Sequence, residues 1–588
     1  MYKVTTEKSH WGVGRINDGI SRFTCDLARS TKHELRVQRH HQSVINKRVM
    51  EVNNHVSIGL DVGTQSTKII VYHLESQRIV ARSSYQYDLD KQPTSAPTTR
   101  AEQHPNKWIQ ALHVCLKSVA SVIEENQYVV VGIGVSGQQH GMVALDKDLH
   151  VIRSAKLWCD VEASVEAKEF SANATKALRE KLGDDAPIID IPAGFTAPKA
   201  LWMKKNEPAN WAKMKWIVLP HDYINLCLRT GLGYDMKITD DIETFKSMNV
   251  STEGVIPTTD AGDASGTGLI LGEASYVPEL AKVVDDCFME SLPIILGPND
   301  SCGTLSPQWK KAVGIDSNDT YSIPLSVGSG DNMMSALGCK CVKAGAACLS
   351  LGTSGTIFGV SDAPVQTGTP VAAFHDASGK HLPLVCTMSC TGVLNSVLEN
   401  WCPGLSHTEA TELAALESPG CNGLTFLPYL SGERTPNWPH ATGALLGLTP
   451  SNMSCMKSPG MIYRAALEGL TYLLADALDQ MRESCGEGFN PSSIYVVGGG
   501  SKNVFWRQMI SDITGLELAF PLESETAALG AAFQAASVFE GKGLDYFVMK
   551  QNVEIENVTI LPTIDEETIR SYREGYIRYR SLSRKLFS

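Results

Sequence analysis

The segment Ser57–Tyr72, with the sequence SIGLDVGTQSTKIIVY, decides the fold class of this chain. An apolar run ends at Asp61, a Gly-Thr turn follows, and a second apolar run completes the segment. This pattern predicts two strands joined by a tight turn. Residues 346–360, AACLSLGTSGTIFGV, repeat it, so that residues 63–66 correspond to residues 352–355. The chain is therefore predicted to contain two similar lobes, related by an internal duplication, with a cleft between them.

Helices and further strands alternate around both copies of this pattern. In the first half, the spacing of apolar residues predicts a third strand near 79–83, a helix at about 105–124 and a buried strand at 128–135. In the second half, it predicts a long helix at about 460–482 and a strand at 493–497. A meander that leads into alternating helices and strands indicates the α/β class.

Length and composition limit the possible classes of protein. The chain has 588 residues, beyond the size at which one hydrophobic core keeps growing, so we expect at least two domains. Its 43% hydrophobic and 20% charged residues are typical of a globular protein, and no apolar run is long enough to cross a membrane. The net charge of −12 argues against a nucleic-acid partner, because binding to phosphate backbones requires clustered Lys and Arg.

Residues 1–56 differ from the rest of the chain. They carry ten Lys or Arg and five Asp or Glu, with no sustained amphipathic period and no apolar core of a secretory signal. We predict a disordered extension; the alternative is an organelle transit peptide, against which the acidic residues count. The fifteen cysteines are scattered and are predicted to be reduced, buried thiols. We therefore expect a cytoplasmic protein, with organelle import through residues 1–56 as the alternative.

The first Gly-Thr turn is a candidate site for phosphate and metal. Gly63 and the hydroxyl of Thr64 allow phosphate oxygens to approach closely, and Asp61 at the strand end can hold Mg²⁺. The alternative is a tight hairpin with an exposed Asp61. The second copy favours the nucleotide site, because it keeps the Gly-Thr pair but has Ser350 in place of the carboxylate. One nucleotide and one cation shared by two lobes would require this asymmetry.

Two further segments offer groups for catalysis and sugar binding. In the segment 327–332, VGSGDN, the carboxylate of Asp331 can accept a proton from a sugar hydroxyl as it attacks the γ-phosphorus of ATP. The alternative, which spacing alone slightly favours, is that Asp331 caps a helix that begins near Asn332. The segment 136–141, SGQQHG, follows a buried strand and can bind the hydroxyls of a polyol, although a lone histidine is more often structural.

A third glycine-rich segment, residues 498–503 with the sequence GGGSKN, lies between a predicted strand and a predicted helix. Its glycines would let a flat base or ribose lie on the backbone, and Asn503 can hydrogen-bond that group. The spacing is neither the dinucleotide fingerprint nor a Walker loop. A glycine-rich turn at a strand end carries little information by itself.

Taken together, residues 57–570 resemble the FGGY carbohydrate kinases, within the actin-like ATPase superfamily. Two long signatures carry the resemblance: GFTAPKALWMKKN at 194–206, and FLPYLSGERTPNW at 426–438, which continues as GALLGLT at 443–449. The LSGERTP form of the second signature and the LSLGTSG at 349–355 look most like the xylulokinases of this family.

The resemblance implies an α/β fold of two ribonuclease H-like (actin-like ATPase) domains with a catalytic cleft between them. We expect an N-terminal domain at 57–315, on the sugar and metal side, and a C-terminal domain at 316–575, on the nucleotide side, followed by a tail at 576–588. The implied reaction is phosphorylation of a ketopentose such as D-xylulose by ATP with Mg²⁺. The expected partners are the small-molecule sugar and ATP, and the expected state is a monomer or homodimer.

The resemblance also implies a role for each matching residue. Asp331 takes the position of the general base, and Asp61 that of the carboxylate near the metal. The residues that match ATP-binding positions are Gly63, Thr64, Gly352, Thr353, Gly499, Gly500 and Asn503. The residues that match sugar contacts, with the last one lining the pocket, are Gln139, His140, Asn332 and Trp158.

The chain departs from the family pattern in three places, of which the first two leave the exact sugar open and the third is a change in packing only. The usual QMHG is QQHG at 138–141, the usual WNDGR is WCDVE at 158–162, and Ala200 replaces a larger aliphatic residue. Ribulose and glycerol are therefore alternative substrates. An alternative of another class is a non-catalytic actin-like nucleotide switch, but such a switch does not need both Asp61 and Asp331.

Overall fold

The structure is a computed structural model that describes residues 54–92, 96–237, 239–247, 250–315, 321–450 and 452–588. The predicted N-terminal extension lies outside the described residues except for its last three. Among the described residues, no helix is both long and apolar enough to cross a membrane.

The described part of the chain alternates helices and strands throughout. Up to residue 330 the elements are β1 (His55–Val62), β2 (Ser66–His73), β3 (Arg78–Gln86), β4 (Glu102–Gln103), α1 (Asn106–Glu125), β5 (Val129–Gly137), β6 (Val143–Leu145), β7 (Ala155–Lys156), α2 (Ser164–Leu182), α3 (Thr196–Asn206), α4 (Pro208–Trp211), β8 (Trp216–Val218), α5 (Pro220–Thr230), β9 (Thr258–Asp260), α6 (Ala261–Ser265), α7 (Pro278–Val284), β10 (Ile294–Leu296), β11 (Ser301–Thr304), α8 (Pro307–Ala312), β12 (Pro324–Ser326) and β13 (Ser329–Gly330).

From residue 331 onward the elements are α9 (Asp331–Gly338), β14 (Ala347–Leu351), β15 (Gly355–Gly359), β16 (Ala372–His375), β17 (His381–Thr387), α10 (Thr391–Trp401), α11 (His407–Ala415), β18 (Thr425–Leu427), β19 (Ala444–Leu446), α12 (Pro459–Cys485), β20 (Ser493–Val497), α13 (Val504–Thr514), β21 (Glu517–Ala519), α14 (Thr526–Glu540), α15 (Leu544–Lys550) and α16 (Glu566–Phe587). Short 3₁₀ turns include Gly499–Lys502.

The two main sheets have the same topology, which confirms the predicted duplication. In the first sheet β3, β2 and β1 form an antiparallel meander, and β5 and β12 extend it in parallel from β1. In the second sheet β17, β15 and β14 form the meander, and β20 and β21 extend it in parallel from β14. The predicted strand–turn–strand pairs are confirmed as β1–β2 and β14–β15.

The apolar cores explain why these elements form where they do. Helix α1 buries one stripe of residues that includes Trp108, Leu112 and Val119, at the spacing that the sequence predicted. The much longer α12 is the centre of the second core, where Leu467, Leu470 and other apolar residues are almost fully buried. A further core lies between the two sheets and includes residues of β2, α9, β14, β15 and α14.

Helix α14 makes the closest contact between the two halves of the chain. It lies across β1 and β5 of the first sheet, and glycines make this approach possible. A Cβ atom on Gly59 would lie 1.9 Å from the carbonyl oxygen of Ala528, and one on Gly134 would lie 2.0 Å from that of Ala531. Because both neighbours are backbone atoms, neither can move aside as a side chain would.

The predicted domain limits at 57–315, 316–575 and 576–588 stay a prediction. Helix α14 lies in the predicted C-terminal domain although it packs on the first sheet. Residues of the predicted tail belong to α16, where Tyr579 is buried and contacts Tyr429 through a hydroxyl–hydroxyl hydrogen bond of 2.5 Å.

We predict that Gly59→Ala destabilises the protein by about 1–3 kcal/mol or more, because overpacking a rigid contact forces the backbone apart. The measurement is the urea midpoint of unfolding. Gly543→Ala is the matched control, since a Cβ atom on Gly543 would meet no atom within 4 Å. Equal midpoints for Gly59→Ala and the wild type would show that the α14 contact is not tight.

Candidate active site

Asp61 stands near the end of β1, directly opposite Ser136 in the parallel pairing of β1 with β5. The hydroxyl of Ser136 donates to Asp61 Oδ1 at 2.9 Å. Burial raises the pKa of Asp61 to about 6, although Ser136 and the charge of Lys68 act in the opposite direction. Asp61 is half-buried and its carboxylate is tied to Ser136, so it is not the exposed hairpin residue of the alternative interpretation.

The Gly63–Thr64 turn is tied to Trp158. The hydroxyl of Thr64 donates to Gln138 Oε1 at 3.0 Å and accepts from Trp158 Nε1 at 2.9 Å. The carbonyl of Gly63 accepts from the hydroxyl of Tyr87 at 2.9 Å. The ring of Trp158 remains 39% exposed, so the indole still offers a surface beside the turn.

Asp331 is the first residue of α9, and the helix is preceded by Gly330 in the cap position. The Oδ1 atom of Asp331 accepts hydrogen bonds from the backbone nitrogen of Asn332 at 2.8 Å and from the side-chain amide of Asn332 at 3.2 Å. The same amide donates to Gln139 Oε1 at 2.8 Å. Asp331, Asn332 and Gln139 thus form one hydrogen-bonded chain.

The electrostatic environment of Asp331 is strongly acidic. Burial raises its pKa to about 8, and the nearby carboxylates of Asp61 and Asp263 contribute to the increase. Burial first, and then repulsion from these two carboxylates, disfavour the ionised form of Asp331 in the free protein.

His140 lies in the left-handed region, with φ of 61°, and its ring stacks on Phe195 at a centroid distance of 4.3 Å. Nδ1 donates to the carbonyl of Gly266 at 2.8 Å. Burial lowers the pKa of His140 to about 3, and the charge of Lys199 acts in the same direction. The imidazole is therefore neutral, and Nε2 is an acceptor.

Lys199 of the first signature holds this loop in place. Its ammonium group donates to the carbonyl oxygens of His140 at 2.9 Å and Gly194 at 2.6 Å. The side chain is fully buried, and burial lowers its pKa to about 7. The first signature thus supports His140 through backbone contacts.

The second Gly-Thr turn is held by the start of α10. The carbonyl of Gly352 accepts from the nitrogen and the hydroxyl of Thr391, at 3.1 and 2.7 Å. The carbonyl of Thr353 accepts from the nitrogen of Gly392 at 3.2 Å. The second turn is one residue shorter than the first, because Leu351 pairs with Gly355 whereas Val62 pairs with Thr67. Ser350 nevertheless stands one residue before the end of β14, as Asp61 stands one residue before the end of β1.

The third segment combines open space with close packing. A Cβ atom on Gly499 would meet nothing within 4 Å, whereas one on Gly500 would lie 2.8 Å from Leu351 Cβ. The side chain of Asn503 is engaged on both sides: Oδ1 accepts from the nitrogen of Trp506 at 3.0 Å and caps α13, and Nδ2 donates to the Thr411 hydroxyl at 2.9 Å.

The structure brings the predicted site residues together in two groups. The first group, in the first lobe and at the start of α9, contains Asp61, Gly63, Thr64, Gln139, His140, Trp158, Asp331 and Asn332. The second group, around the C-terminal ends of β14 and β20, contains Gly352, Thr353, Gly499, Gly500 and Asn503. Phe374 of the second lobe contacts the rings of His140 and Phe195, at 5.7 and 6.1 Å.

Sequence reasoning missed several residues that shape these groups. Gln138 accepts a hydrogen bond from Thr64 and so connects the first Gly-Thr turn to the loop that carries Gln139 and His140. Thr391 donates to the carbonyl of Gly352 in the second turn. Arg434 lies close enough to His140 for its charge to lower the pKa of that imidazole. Gln138 and Arg434 belong to segments that the sequence had singled out, but nothing in their spacing revealed these contacts.

A cluster of three carboxylates beside Trp158 explains one departure from the family pattern. Lys156 is fully buried among them, within 3.3 Å of each, and its ammonium lies 3.9 Å from the ring centroid of Trp202. The three carboxylates are Glu102, Asp160 and Glu162. Two arginines complete the ion pairs: Arg100 pairs with Glu162, and Arg153 pairs with Glu102. Each of the three acids already has at least one basic partner in this cluster, and Arg153 also pairs with Glu207.

The chain was compared with known protein families and structures. Residues 56–338 match the N-terminal domain of the FGGY family of carbohydrate kinases, and residues 347–538 match the C-terminal domain. The xylulose kinase of Haemophilus influenzae is 34% identical over 536 residues, covering 89% of this chain and 98% of that protein. The xylulose kinase of Streptomyces coelicolor is 32% identical, covering 87% of this chain and 94% of its own length.

Solved structures agree with these matches. A xyloylose kinase from Brucella ovis superimposes with a TM-score of 0.76 at 27% identity, covering 90% of this chain and 99% of that structure. The xylulose kinase of Bifidobacterium adolescentis gives a TM-score of 0.70 at 28% identity, covering 89% and 99%.

The duplicated sheets and the two glycine turns define a two-domain protein of the ribonuclease H-like, actin-like ATPase fold. Within that class, the chain belongs to the FGGY family of carbohydrate kinases. The expected fold class is confirmed, and so is the expected type of enzyme, a kinase that uses ATP and a sugar.

We predict that the Asp331 carboxyl group lowers the stability of the ligand-free protein at neutral pH. Its pKa is about 8 in the folded chain against an ordinary value of 3.8, so the folded state binds this proton more tightly than the unfolded state. The wild type therefore loses stability as the pH rises from about 4 through about 8. The midpoint of thermal unfolding, without ATP or divalent cations, should be higher for Asp331→Asn by an amount that grows over this range.

Asp148→Asn is the control for this measurement. Asp148 is exposed, and a hydrogen bond from Lys147 lowers its pKa. Asp148→Asn should therefore not raise the midpoint of thermal unfolding as the pH increases. If the unfolding midpoints of Asp331→Asn and the wild type differed by the same amount at every pH, this would contradict the raised pKa of Asp331.

Proposed function

We propose that this protein transfers the γ-phosphoryl group of ATP to D-xylulose, giving D-xylulose 5-phosphate and ADP, a product that would feed the pentose phosphate pathway. The observation that carries the proposal is the hydrogen-bonded chain of Asp331, Asn332 and Gln139 near the half-buried carboxylate of Asp61. A pure nucleotide switch does not require this arrangement. The choice of sugar is supported by the names of the similar proteins, since those from Haemophilus influenzae, Streptomyces coelicolor and Bifidobacterium adolescentis are xylulose kinases.

Asp331 is proposed as the general base. As the primary hydroxyl of the sugar attacks the γ-phosphorus, its proton passes to a carboxylate oxygen of Asp331, and the bond to the β-phosphate oxygen breaks. Asn332 holds Oδ1 through two donors, which leaves Oδ2 for the substrate. The raised pKa gives the ionised carboxylate a higher proton affinity than an exposed aspartate, and a cation bound nearby would favour that ionised form.

The sugar is proposed to lie against Gln139, His140, Asn332 and Trp158. Gln139 Nε2 is buried and has no hydrogen-bond partner among the described residues, so it is an available donor for a hydroxyl. His140 Nε2 is an acceptor, because Nδ1 carries the proton. One donor and one acceptor side by side suit a polyol, whose hydroxyls both donate and accept.

Asp61 is proposed to hold Mg²⁺, and the donor set fits this ion. One carboxylate oxygen is fixed by Ser136, and a second carboxylate, that of Asp331, raises the local negative charge. Bound Mg²⁺ would neutralise charge on the β- and γ-phosphates. Asp61 itself stays ionised more readily beside a cation, because the positive charge opposes the effect of burial.

The nucleotide is proposed to bind between the two groups of site residues. The backbone amides of Thr64 and Thr353 suit phosphate oxygens, and the absence of a side chain at Gly63 and Gly352 lets such a group approach closely. The amides of Gly63 and Gly352 themselves donate to the carbonyl oxygens of Ser66 and Ser354. The open face at Gly499 and the close packing at Gly500 suit a flat adenosine against the backbone. Asn503 would shape this surface from its place as the cap of α13, since both ends of its amide already have partners.

We further propose a cytoplasmic enzyme that acts as a monomer or homodimer. Thirteen cysteines with described side chains are free thiols, which suits a reducing compartment. Import into an organelle through residues 1–56 is the alternative for its location.

The test of the proposed function is ATP-to-ADP turnover by the purified protein with a panel of D-xylulose, D-ribulose, glycerol and D-gluconate. We expect the highest kcat/KM with D-xylulose and slow ATP hydrolysis without sugar. Preferential use of another sugar would contradict the substrate, and sugar-independent hydrolysis alone would favour the nucleotide switch.

We predict that Asp331→Asn reduces sugar-dependent turnover by about 10²–10⁴-fold, because the amide cannot accept the proton. The affinity for ATP, measured by calorimetry, should change little. A kcat close to that of the wild type would contradict the assignment of Asp331 as the base.

A further inference from the structure

The N-terminal end of α5 lies directly beneath the two loops that carry the first group of site residues. A Cβ atom on Gly137, at the start of the Gln139 loop, would lie 2.7 Å from the backbone nitrogen of His221. One on Gly328, in the loop that leads to Asp331, would lie 2.7 Å from the His221 ring. His221 is fully buried and therefore contacts both loops from below.

Three aspartates surround the ring of His221. Nδ1 donates to Asp263 Oδ2 at 2.7 Å, and Nε2 lies 3.0 Å from Asp222 Oδ1 and 3.9 Å from Asp260 Oδ1. Burial alone would lower the pKa of this histidine, but the three carboxylates raise it to about 9. The three carboxylates therefore favour the imidazolium form of this buried histidine.

The carboxylates around His221 reach the turn that presents Asp331. A Cβ atom on Gly330 would lie 3.1 Å from Asp263 Oδ1, an oxygen that is buried and has no hydrogen-bond partner among the described residues. One residue earlier, the hydroxyl of Ser329 donates to Asp260 Oδ2 at 2.7 Å. Two carboxylates near the same imidazolium thus meet the residues just before the proposed base.

On the basis of the proposed function, we propose that His221 is a positioning residue for phosphoryl transfer. Its imidazolium holds Asp263 beneath Gly330 and thereby fixes the place of Asp331. Without the cation, the buried carboxyl groups of Asp222, Asp260 and Asp263 lose their counter-charge and either repel one another or take up protons, since burial already raises their pKa values. In both cases the ion pair that holds Asp263 is lost, and the turn moves with it.

The positioning role predicts an effect on kcat rather than on sugar affinity. The contact of α5 with Gly137 is made by the backbone nitrogen of His221, which any side-chain variant keeps. The contact between α5 and the start of the Gln139 loop is therefore kept when the ring is changed. Displacement of Asp331 instead weakens proton transfer in the transition state, which lowers kcat with little change in KM.

The first test compares His221→Asn and His221→Lys with the wild type in the D-xylulose kinase assay. Asparagine keeps a donor toward Asp263 but has no charge, and lysine keeps the charge. We expect kcat to fall by about 10- to 100-fold in His221→Asn, with KM for both substrates within about threefold of the wild type, and to recover in part in His221→Lys.

His113→Asn is the matched control. This histidine is partly buried in the same lobe, where its ring contacts Trp309 at 4.5 Å and Nε2 donates to the carbonyl of Gly233 at 2.8 Å. The variant should keep the wild-type kcat. Equal losses of kcat in His113→Asn and His221→Asn would contradict a positioning role, because any buried histidine would then have the same effect.

The second test uses Asp263→Asn, which keeps an acceptor for His221 and decides the question if the His221 variants do not fold. We expect the same fall in kcat at nearly constant KM. The double variant with His221→Asn should lose no more than the larger single loss, because both residues act through one turn. A wild-type kcat in Asp263→Asn, or losses that multiply in the double variant, would overturn the proposal.

Wild-type turnover in the same assay separates this inference from the proposed function. No sugar-dependent turnover by the wild type contradicts the proposed function itself and, with it, the positioning role. Normal wild-type turnover with an unchanged kcat in His221→Asn contradicts only the role of His221. A rise in KM for D-xylulose at constant kcat would make His221 a determinant of sugar binding and would also overturn the proposal.

Discussion

The backbone contact of helix α14 is the constraint on which the arrangement of the site depends. On one side α14 meets the first sheet at Gly59 and Gly134, and on the other it meets α9, where a Cβ atom on Gly530 would lie 1.9 Å from the carbonyl of Met334. Helix α9 begins with Asp331. The distance between this residue and the strand that carries Asp61 is therefore set by packed main chains, which cannot adjust as side chains do.

The packed main chains fix the geometry of the site, whereas its charged groups destabilise the free protein. Asp61, Asp263 and Asp331 each have a raised pKa, because burial and mutual repulsion disfavour their ionised forms. Such an arrangement costs stability in the free protein, and structural needs alone do not explain it. It does suit a site that receives a divalent cation and a phosphate ester, since their charges change the balance when they bind. The stability lost in the free state is thus linked to the chemistry of the loaded state.

Local patterns in the sequence predicted much of this architecture. The runs on either side of Gly63 and Gly352 revealed both hairpins, and the apolar stripe of α1 revealed that helix. The path of α14 was not predictable, because Gly59 looks like any glycine in a strand and its contact, Ala528, lies 469 positions away in the sequence. Likewise, His221 is one histidine among fifteen, and only the fold brings Asp222, Asp260 and Asp263 around it.

The site residues show the same division. Asp61, Asp331 and the glycine turns could be recognised in the sequence, because each lies in a short motif of consecutive residues. For Asn503 the sequence suggested a free amide, whereas the structure uses that amide to cap α13 and to hold Thr411. Trp158 was expected to line the pocket, and its bond to Thr64 adds a direct link between the sugar side and the phosphate turn. Such links depend on side-chain geometry that no spacing encodes.

The charged cluster beside Trp158 has a consequence for how this sequence can vary among related species. Glu162 stands where the WNDGR pattern cited in the sequence analysis has arginine, and Arg100 pairs with it across 62 positions of sequence. Replacing either residue alone leaves an unmatched charge next to the buried Lys156, so selection should remove most single replacements at these two positions. Positions 100 and 162 should therefore change together, and their correlated substitution would mark the branch of the family to which this protein belongs.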